Sequence, residues 1–314
     1  MNEISTRLNL IQRAMQRGAL ARDRAPTDQV AADQRTSVVP GEAETVVEPL
    51  PRLQPEKISR NAEAVQLEHA QLRASQIVTP EDRYSPIYNE FRSLKRKLLP
   101  MTWSSTENGI PQNVVMVTSA LPREGKTFTV MNLAICLAAE QDLEVILVDG
   151  DVIRGSIAQY FNGEKAGGLI DILAGSRRLD EVLHPCGNLP RLHVLFAGKQ
   201  DRAAPELLAS PRMGDLCRTL STRFENGVVL FDTPPVLASP ESTALAPHAH
   251  HLIMLVSAGY AARNQVEAAL TEVRSCPNTS LLFNRVPEWQ RPLTPASYYG
   301  MNIQDSESVA RATV

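Results

Sequence analysis

Val114-Val115-Met116-Val117-Thr118-Ser119-Ala120-Leu121-Pro122-Arg123-Glu124-Gly125-Lys126-Thr127-Phe128-Thr129-Val130 decides how the rest of the chain reads. Four apolar residues make a strand buried on both faces, a tight loop follows, and Gly125-Lys126-Thr127 opens a helix continuing through Met131-Asn132-Leu133-Ala134. Strand, loop and helix in that order form a phosphate-binding P-loop, whose backbone N–H groups and helix dipole cradle a polyphosphate. Ala120, Pro122, Glu124, Gly125, Lys126, Thr127 and Phe128 are the expected nucleotide-binding residues. The Lys126 ammonium would meet the outer phosphates, and the Thr127 hydroxyl would ligate Mg²⁺. Ala120 stands where the usual G-x-x-x-x-G-K-[ST] pattern has its first glycine, and it is small enough to keep the close approach.

Two further apolar runs end in acids. Val145-Ile146-Leu147-Val148 reads as a parallel strand covered on both faces and delivers Asp149-Gly150-Asp151 at its carboxyl end, where open α/β sheets place their ligands. Neighbours one residue apart point to opposite sides of an extended chain; Gly150 allows the turn that brings both carboxylates to the phosphates. Val228-Val229-Leu230-Phe231 ends in Asp232-Thr233-Pro234-Pro235. Three acids on two strand ends beside a P-loop point to metal and phosphoryl chemistry rather than to turn capping.

Apolar runs at Leu192–Phe196, Leu252–Val256 and Ser280–Phe283 alternate with helical patterns such as Met213–Arg223 and Asn264–Ser275. The expected fold is α/β: a doubly wound, mostly parallel sheet formed by residues 81–286. Ile4, Leu8, Ile11 and Met15 form one stripe of an amphipathic helix over 1–20. That stripe fits a partner helix, an anionic membrane or the chain's own domain. Residues 21–80 carry Pro26, Pro40, Pro49, Pro51, Pro55 and Pro80 among many Gln, Glu, Asp and Ala, and read as a flexible linker. Residues 287–314 read as a flexible tail bearing Tyr298-Tyr299-Gly300.

A net charge of −3 and a pI near 6.1 give no overall basic field for nucleic acid. No apolar run reaches the length of a membrane span and the start lacks a signal peptide's apolar core, so the expected location is cytoplasmic. Cys136, Cys186, Cys217 and Cys276 lack metal or redox spacing and read as reduced core residues. His248, His250 and His251 border a strand and read as structural or solvated.

In combination, these motifs resemble the bacterial tyrosine autokinases of polysaccharide synthesis and export (BY-kinases), nearest to the exosortase-associated cytoplasmic type. The resemblance spans about residues 84–300. It is carried by Glu90–Arg96, Thr118–Phe128, Asp149-Gly150-Asp151 with Arg154, Gly168–Gly175, Ala197-Gly198, Pro205–Ser210, Phe231–Pro235, Leu281–Asn284 and the Tyr298-Tyr299-Gly300 tail.

The resemblance implies ATP and Mg²⁺ at the P-loop, with Lys126, Asp149, Asp151, Asp232 and Arg154 as the catalytic set. Thr127, Asp151 and Asp232 are implied for the metal and Asp149 for the tyrosine hydroxyl, with sequence leaving the division between Asp149 and the other acids open. It also implies Tyr298 and Tyr299 as acceptors modified by a neighbouring subunit of a ring or dimer. A separate membrane activator of the chain-length-determinant type would recruit the chain to the inner membrane. Three departures stand out. Arg123 replaces a common glycine, which implies φ > 0 at that position. The Glu-x-x-Arg-x-x-Arg assembly motif reads Asn89-x-x-Arg92-x-x-Lys95, and the tail offers only two tyrosines.

Two other readings remain. Partitioning-type switch ATPases carry an extra lysine just after the loop's first residue, where Leu121 stands here. A catalytically weak, nucleotide-binding regulator of polysaccharide assembly would fit the departures. Asn284-Arg285-Val286-Pro287 lacks the acid of a guanine-reading Asn-Lys-x-Asp, and the Asn284 amide suits an adenine edge.

Overall fold

The computed structural model describes residues 62–102, 109–163 and 167–287, all within the second of two units into which the chain divides, Leu50–Val314. The predicted helix over 1–20, the linker as far as residue 61 and the acceptor pair Tyr298-Tyr299 lie outside the described residues.

In chain order the elements begin with β1 (Gln66–Leu67), α1 (His69–Ala74), α2 (Pro86–Thr102), β2 (Val114–Ser119), α3 (Lys126–Ala138) and β3 (Glu144–Asp149). A short 3₁₀ turn, Ser156–Tyr160, leads to β4 (Phe161–Asn162), α4 (Leu169–Leu173), α5 (Leu179–Val182), β5 (Leu183–Pro185) and β6 (Leu192–Leu195). The remainder is α6 (Ala204–Leu208), α7 (Pro211–Arg223), β7 (Gly227–Asp232), α8 (Pro240–Leu245), β8 (His251–Ser257), α9 (Arg263–Glu272) and β9 (Asn278–Asn284).

Seven strands form one sheet in the order β5-β6-β3-β7-β2-β8-β9. All pairings are parallel except the edge pair β5–β6, so the expected doubly wound α/β architecture is present. Its central strands are buried along their length, which is why they read as unbroken Val/Ile/Leu runs. Alternate residues feed two cores. Val115, Val117, Val145, Leu147, Val228 and Leu230 join the core that includes α3. Val114, Met116, Ile146, Val148, Val229 and Phe231 join the one that includes α7. The antiparallel β5 is only three residues long and ends in Pro185, too short to show a period.

The linker reading of 21–80 is corrected over 62–80. There the chain is folded onto the domain: Val65, Leu67, Leu72, Ile77 and Val78 are all buried in the α3-side core. β1 pairs antiparallel with β4. The Leu67 N–H donates to Asn188 Oδ1 at 2.9 Å, and Asn188 Nδ2 donates back to the Leu67 carbonyl at 3.0 Å. Further along, the Val78 N–H donates to Asn132 Oδ1 on α3 at 2.9 Å. The sequence carries a trace of this, because the prolines stop at Pro55 and resume at Pro80.

Candidate active site

The P-loop joins β2 to α3, and its shape is set from inside the protein. Arg123 adopts φ 64° and Gly125 φ 97°. At Gly125 a side chain would be strained by the backbone and would also run into Asn284 Nδ2. Glu124 is fully buried. Its Oε2 accepts the Leu121 N–H at 2.8 Å, and its Oε1 accepts the Ser257 N–H at 3.0 Å. The Glu124 carbonyl accepts both Ser257 Oγ at 3.1 Å and Asn284 Nδ2 at 2.8 Å. The loop is therefore braced against the ends of β8 and β9.

Three residues expected at the nucleotide have side chains engaged within the protein. The Glu124 side chain is a brace for the loop. The Asn284 amide donates to that same loop, while its Oδ1 accepts the Arg285 N–H at 2.9 Å, so its hydrogen bonds serve the protein itself. Phe128 packs edge-on against Phe91 of α2, with ring centroids 6.1 Å apart. What Glu124 and Phe128 can offer a nucleotide is backbone. The first N–H groups of α3 have no intrahelical acceptors, and no acidic residue sits in that first turn.

Lys126 and Thr127 start α3. Lys126 is buried, and its Nζ donates to Ser119 Oγ at 3.4 Å. Burial lowers its pKa, while the carboxylates of Asp232 and Asp151 oppose that shift. Thr127 Oγ1 donates to Asp232 Oδ2 at 2.6 Å and lies 3.2 Å from Ser156 Oγ. Ser119 and Ser156 escaped sequence reading because a lone serine carries no pattern.

Asp149 and Asp232 stand opposite one another on paired strands. The Gly150 N–H, donating to the Asp232 carbonyl at 2.7 Å, ties the two strand ends together. Both side chains are fully buried. Asp149 Oδ2 accepts the Ile157 N–H at 3.1 Å, whereas Asp149 Oδ1 and Asp232 Oδ1 are buried without a partner. Burial pushes the Asp232 carboxyl up to about 7, against the pull of the Thr127 hydroxyl and Lys126. Burial and the neighbouring Asp232 charge together raise Asp149 well above the usual carboxylate range. Asp151 is nearly buried and its Oδ1 caps the following turn, accepting the Arg154 N–H at 3.3 Å. Arg154 is exposed on that turn.

Thus Lys126, Thr127, Asp149, Asp151 and Asp232 converge at the carboxyl edge of the sheet. Among the described residues no three His, Cys, Asp or Glu side chains already form a metal cage. Mg²⁺ on a polyphosphate needs only one or two protein oxygens, the rest being water and phosphate. The unpartnered Oδ1 of Asp232, whose Oδ2 accepts the Thr127 hydroxyl, is a hard donor of that kind.

Lys95, expected in an assembly motif, is buried and ion-paired with Glu140 of its own chain. Arg92 donates to Asn89 Oδ1 at 3.3 Å. All four cysteines are free and buried, as expected.

None of the protein-family models matches the chain. Among curated proteins it resembles EpsB of Ralstonia nicotianae, 35% identical over 176 residues, covering 56% of this chain and 22% of that one. Ptk of Acinetobacter johnsonii, named a tyrosine-protein kinase, is 33% identical over 159 residues, 51% of this chain and 21% of its own. The chain therefore spans about a fifth of the length of these two relatives. The tyrosine-protein kinase YwqD of Bacillus subtilis is 30% identical over 167 residues, 53% of this chain and 69% of its own length. Among solved structures, the kinase domain of the Escherichia coli tyrosine kinase ETK shares the fold with a TM-score of 0.59 at 23% identity, covering 76% of this chain and 93% of that one. The VpsO kinase domain gives a TM-score of 0.54 at 25% identity, covering 70% of this chain and 98% of that one. With the P-loop, the paired strand-end carboxylates and the parallel sheet all in place, the chain belongs to the bacterial tyrosine-protein kinase family.

Proposed function

We propose that this chain is an ATP-dependent protein-tyrosine autokinase that phosphorylates Tyr298 and Tyr299 of a neighbouring copy and regulates polysaccharide synthesis or export. The observation that carries the reading is Asp149. It is a fully buried carboxylate whose Oδ1 has no partner, at a strand end paired with that of Asp232. A switch ATPase has no need of a base for a protein hydroxyl, and Leu121 stands where its extra lysine would be.

Bound Mg²⁺ would supply charge neutralisation between the outer phosphates of ATP, with Thr127 Oγ1, Asp232 and Asp151 as its protein oxygens. The first-turn N–H groups of α3 and the Lys126 ammonium bind the phosphates and offset the charge carried by the transferring group. Asp149 Oδ1 accepts the proton of the tyrosine hydroxyl as that oxygen bonds to the γ-phosphorus and the bond to the β-phosphate oxygen breaks, releasing ADP. Burial and the neighbouring Asp232 charge raise the Asp149 carboxyl above the usual carboxylate range, which strengthens it as a proton acceptor. Adenine, rather than guanine, is the proposed base. Lys95 being paired inside its own chain, contacts between copies rely on other groups. A membrane activator of the chain-length-determinant type, the cytoplasm and recruitment to the inner membrane complete the proposal. Among the described residues no helix is long and apolar enough to cross a membrane.

Mixing two full-length variants under Mg·ATP tests it. A Lys126→Met chain keeps the tyrosines, and a Tyr298→Phe/Tyr299→Phe chain keeps the site. Neither should label itself, while the mixture should place phosphate on the Lys126→Met chain, read by mass spectrometry of the tail. An unlabelled mixture that hydrolyses ATP and dimerises on ATP would establish the switch ATPase instead.

A further inference from the structure

A cleft of about 530 Å³ opens beside Asp149, over the carboxyl ends of β3 and β6. It is distinct from the phosphate loop. None of Ala120 to Phe128 lines it, although its inner wall at Asp149 and Gly155 borders Asp232 and Ser156, which lie against the Thr127 hydroxyl. Its rim carries Arg154 on the turn after β3, Arg177 beyond α4 and Lys199 after β6. All three are exposed. Among the described residues none is ion-paired with an acid. Two acids line the cleft. Asp149 lies buried at its inner end, and Asp171 Oδ2 accepts the Gly168 and Lys199 N–H groups at 2.9 and 3.1 Å. That double bond to the backbone fixes the loop after β6 against the start of α4, holding Lys199 at the rim. The result is a firm, cation-rimmed hollow with a candidate general base at its floor.

An anion-reading cleft next to the acceptor's entry point suits a substrate with carboxylates near its tyrosine. The chain's own tail has this composition: beyond Tyr299 it runs Gly300-Met301-Asn302-Ile303-Gln304-Asp305-Ser306-Glu307. Six residues of extended chain reach up to about 20 Å, so with Tyr299 at Asp149 the acids reach the rim with slack. We infer that the cleft binds the acidic stretch Asp305–Glu307 of a neighbouring copy, so that the site selects tyrosines followed by acidic peptide. The kinase reading supplies the choice of ligand; the cleft and its charge stand without it. Because the three cations face water, the preference is modest and salt-dependent.

The test uses the full chain with Tyr298→Phe and Tyr299→Phe, and two fluorescent peptides spanning residues 294–310, one native and one with Asp305→Asn and Glu307→Gln. At low ionic strength the native peptide should bind about fivefold more tightly than its neutral counterpart. The advantage should vanish at high salt, and also in Arg177→Gln/Lys199→Gln protein. Unchanged nucleotide affinity in that variant would report an intact fold. Under Mg·ATP the KM for the native peptide should rise by the same factor in the variant. Equal binding of the two peptides, or an advantage that survives Arg177→Gln/Lys199→Gln, overturns the inference. Selective binding with no phosphate transferred to either peptide would sink the kinase reading and leave the cleft assignment standing.

Discussion

Arg123 holds φ 64° in the phosphate loop, a left-handed backbone that an L side chain adopts at a penalty of about 1–2 kcal/mol. Replacing it by glycine removes that strain but adds unfolded-chain entropy, so the net gain is a fraction of the penalty. Arg123→Gly should raise the melting temperature by roughly 2 °C with nucleotide affinity changed only a few-fold, as scanning calorimetry and nucleotide titration would read. A fall in melting temperature would mean the guanidinium stabilises the fold by more than the backbone loses. Asp232 behaves oppositely. Burial with an unpartnered Oδ1 and an upward-shifted pKa makes its charge a burden on the empty fold at pH 8. Asp232→Asn should therefore leave the nucleotide-free protein at least as stable, yet lower phosphoryl transfer on the order of 10²-fold or more. Transfer within a few-fold of wild type would reduce this acid to a turn residue. Lys126, Thr127, Asp149 and Asp232 were legible because each stands at or just beyond the carboxyl end of an unbroken apolar run. The inward turn of Glu124 was not, since it depends on Ser257, 133 residues further along.

At the scale of elements, the stretch from Ala62 to Pro80 behaves as part of the domain rather than as its tether. Burying Val65, Leu67 and Leu72 together contributes roughly 5 kcal/mol. A chain beginning at residue 81 should melt about 10 °C or more below one beginning at residue 62, measured by circular dichroism. Equal melting of the two would show that the β1–β4 pairing adds nothing. This segment was illegible for a physical reason. β1 has two residues and α1 has six, below the length at which a period of 2 or 3.6 shows itself. Their order comes from partners such as Asn188 and Asn132, which local sequence does not announce. The long parallel strands, by contrast, declared themselves through continuous apolar runs, whereas α2, whose buried stripe is Tyr88, Phe91, Lys95, Leu98 and Thr102, was read only as a motif and not as a helix. Lys95 was read as part of an assembly motif, and its spacing did not announce that Glu140 would claim it.

For the whole molecule, one sheet serves two cores, and the cysteines sample both. Cys136 and Cys186 lie on the α3 side, and Cys217 and Cys276 on the α7 side. Burial pushes the Cys136 and Cys217 thiols up to about 12, leaving almost no thiolate to react. If the sheet fails as one cooperative unit, all four should become reactive together, at the global unfolding rate. Pulsed thiol labelling with mass spectrometry checks this. Earlier labelling of one pair would show that the two faces open separately. The doubly wound, mostly parallel character of this sheet was legible from the alternation of runs, though not its strand order. Its antiparallel edge and the cleft over β6 were not, because Arg177 and Lys199 meet only through the folded chain.

The Glu124 brace has a consequence for energetics. A loop whose shape is held by a carboxylate reaching the end of β8 has been ordered at the moment of folding, so nucleotide arrival carries no further chain-ordering entropy. Affinity at this loop is then governed by charge matching and desolvation rather than by a search among conformers. Integrity of the sheet's β8–β9 border and competence to bind phosphate become a single property, lost at the same temperature.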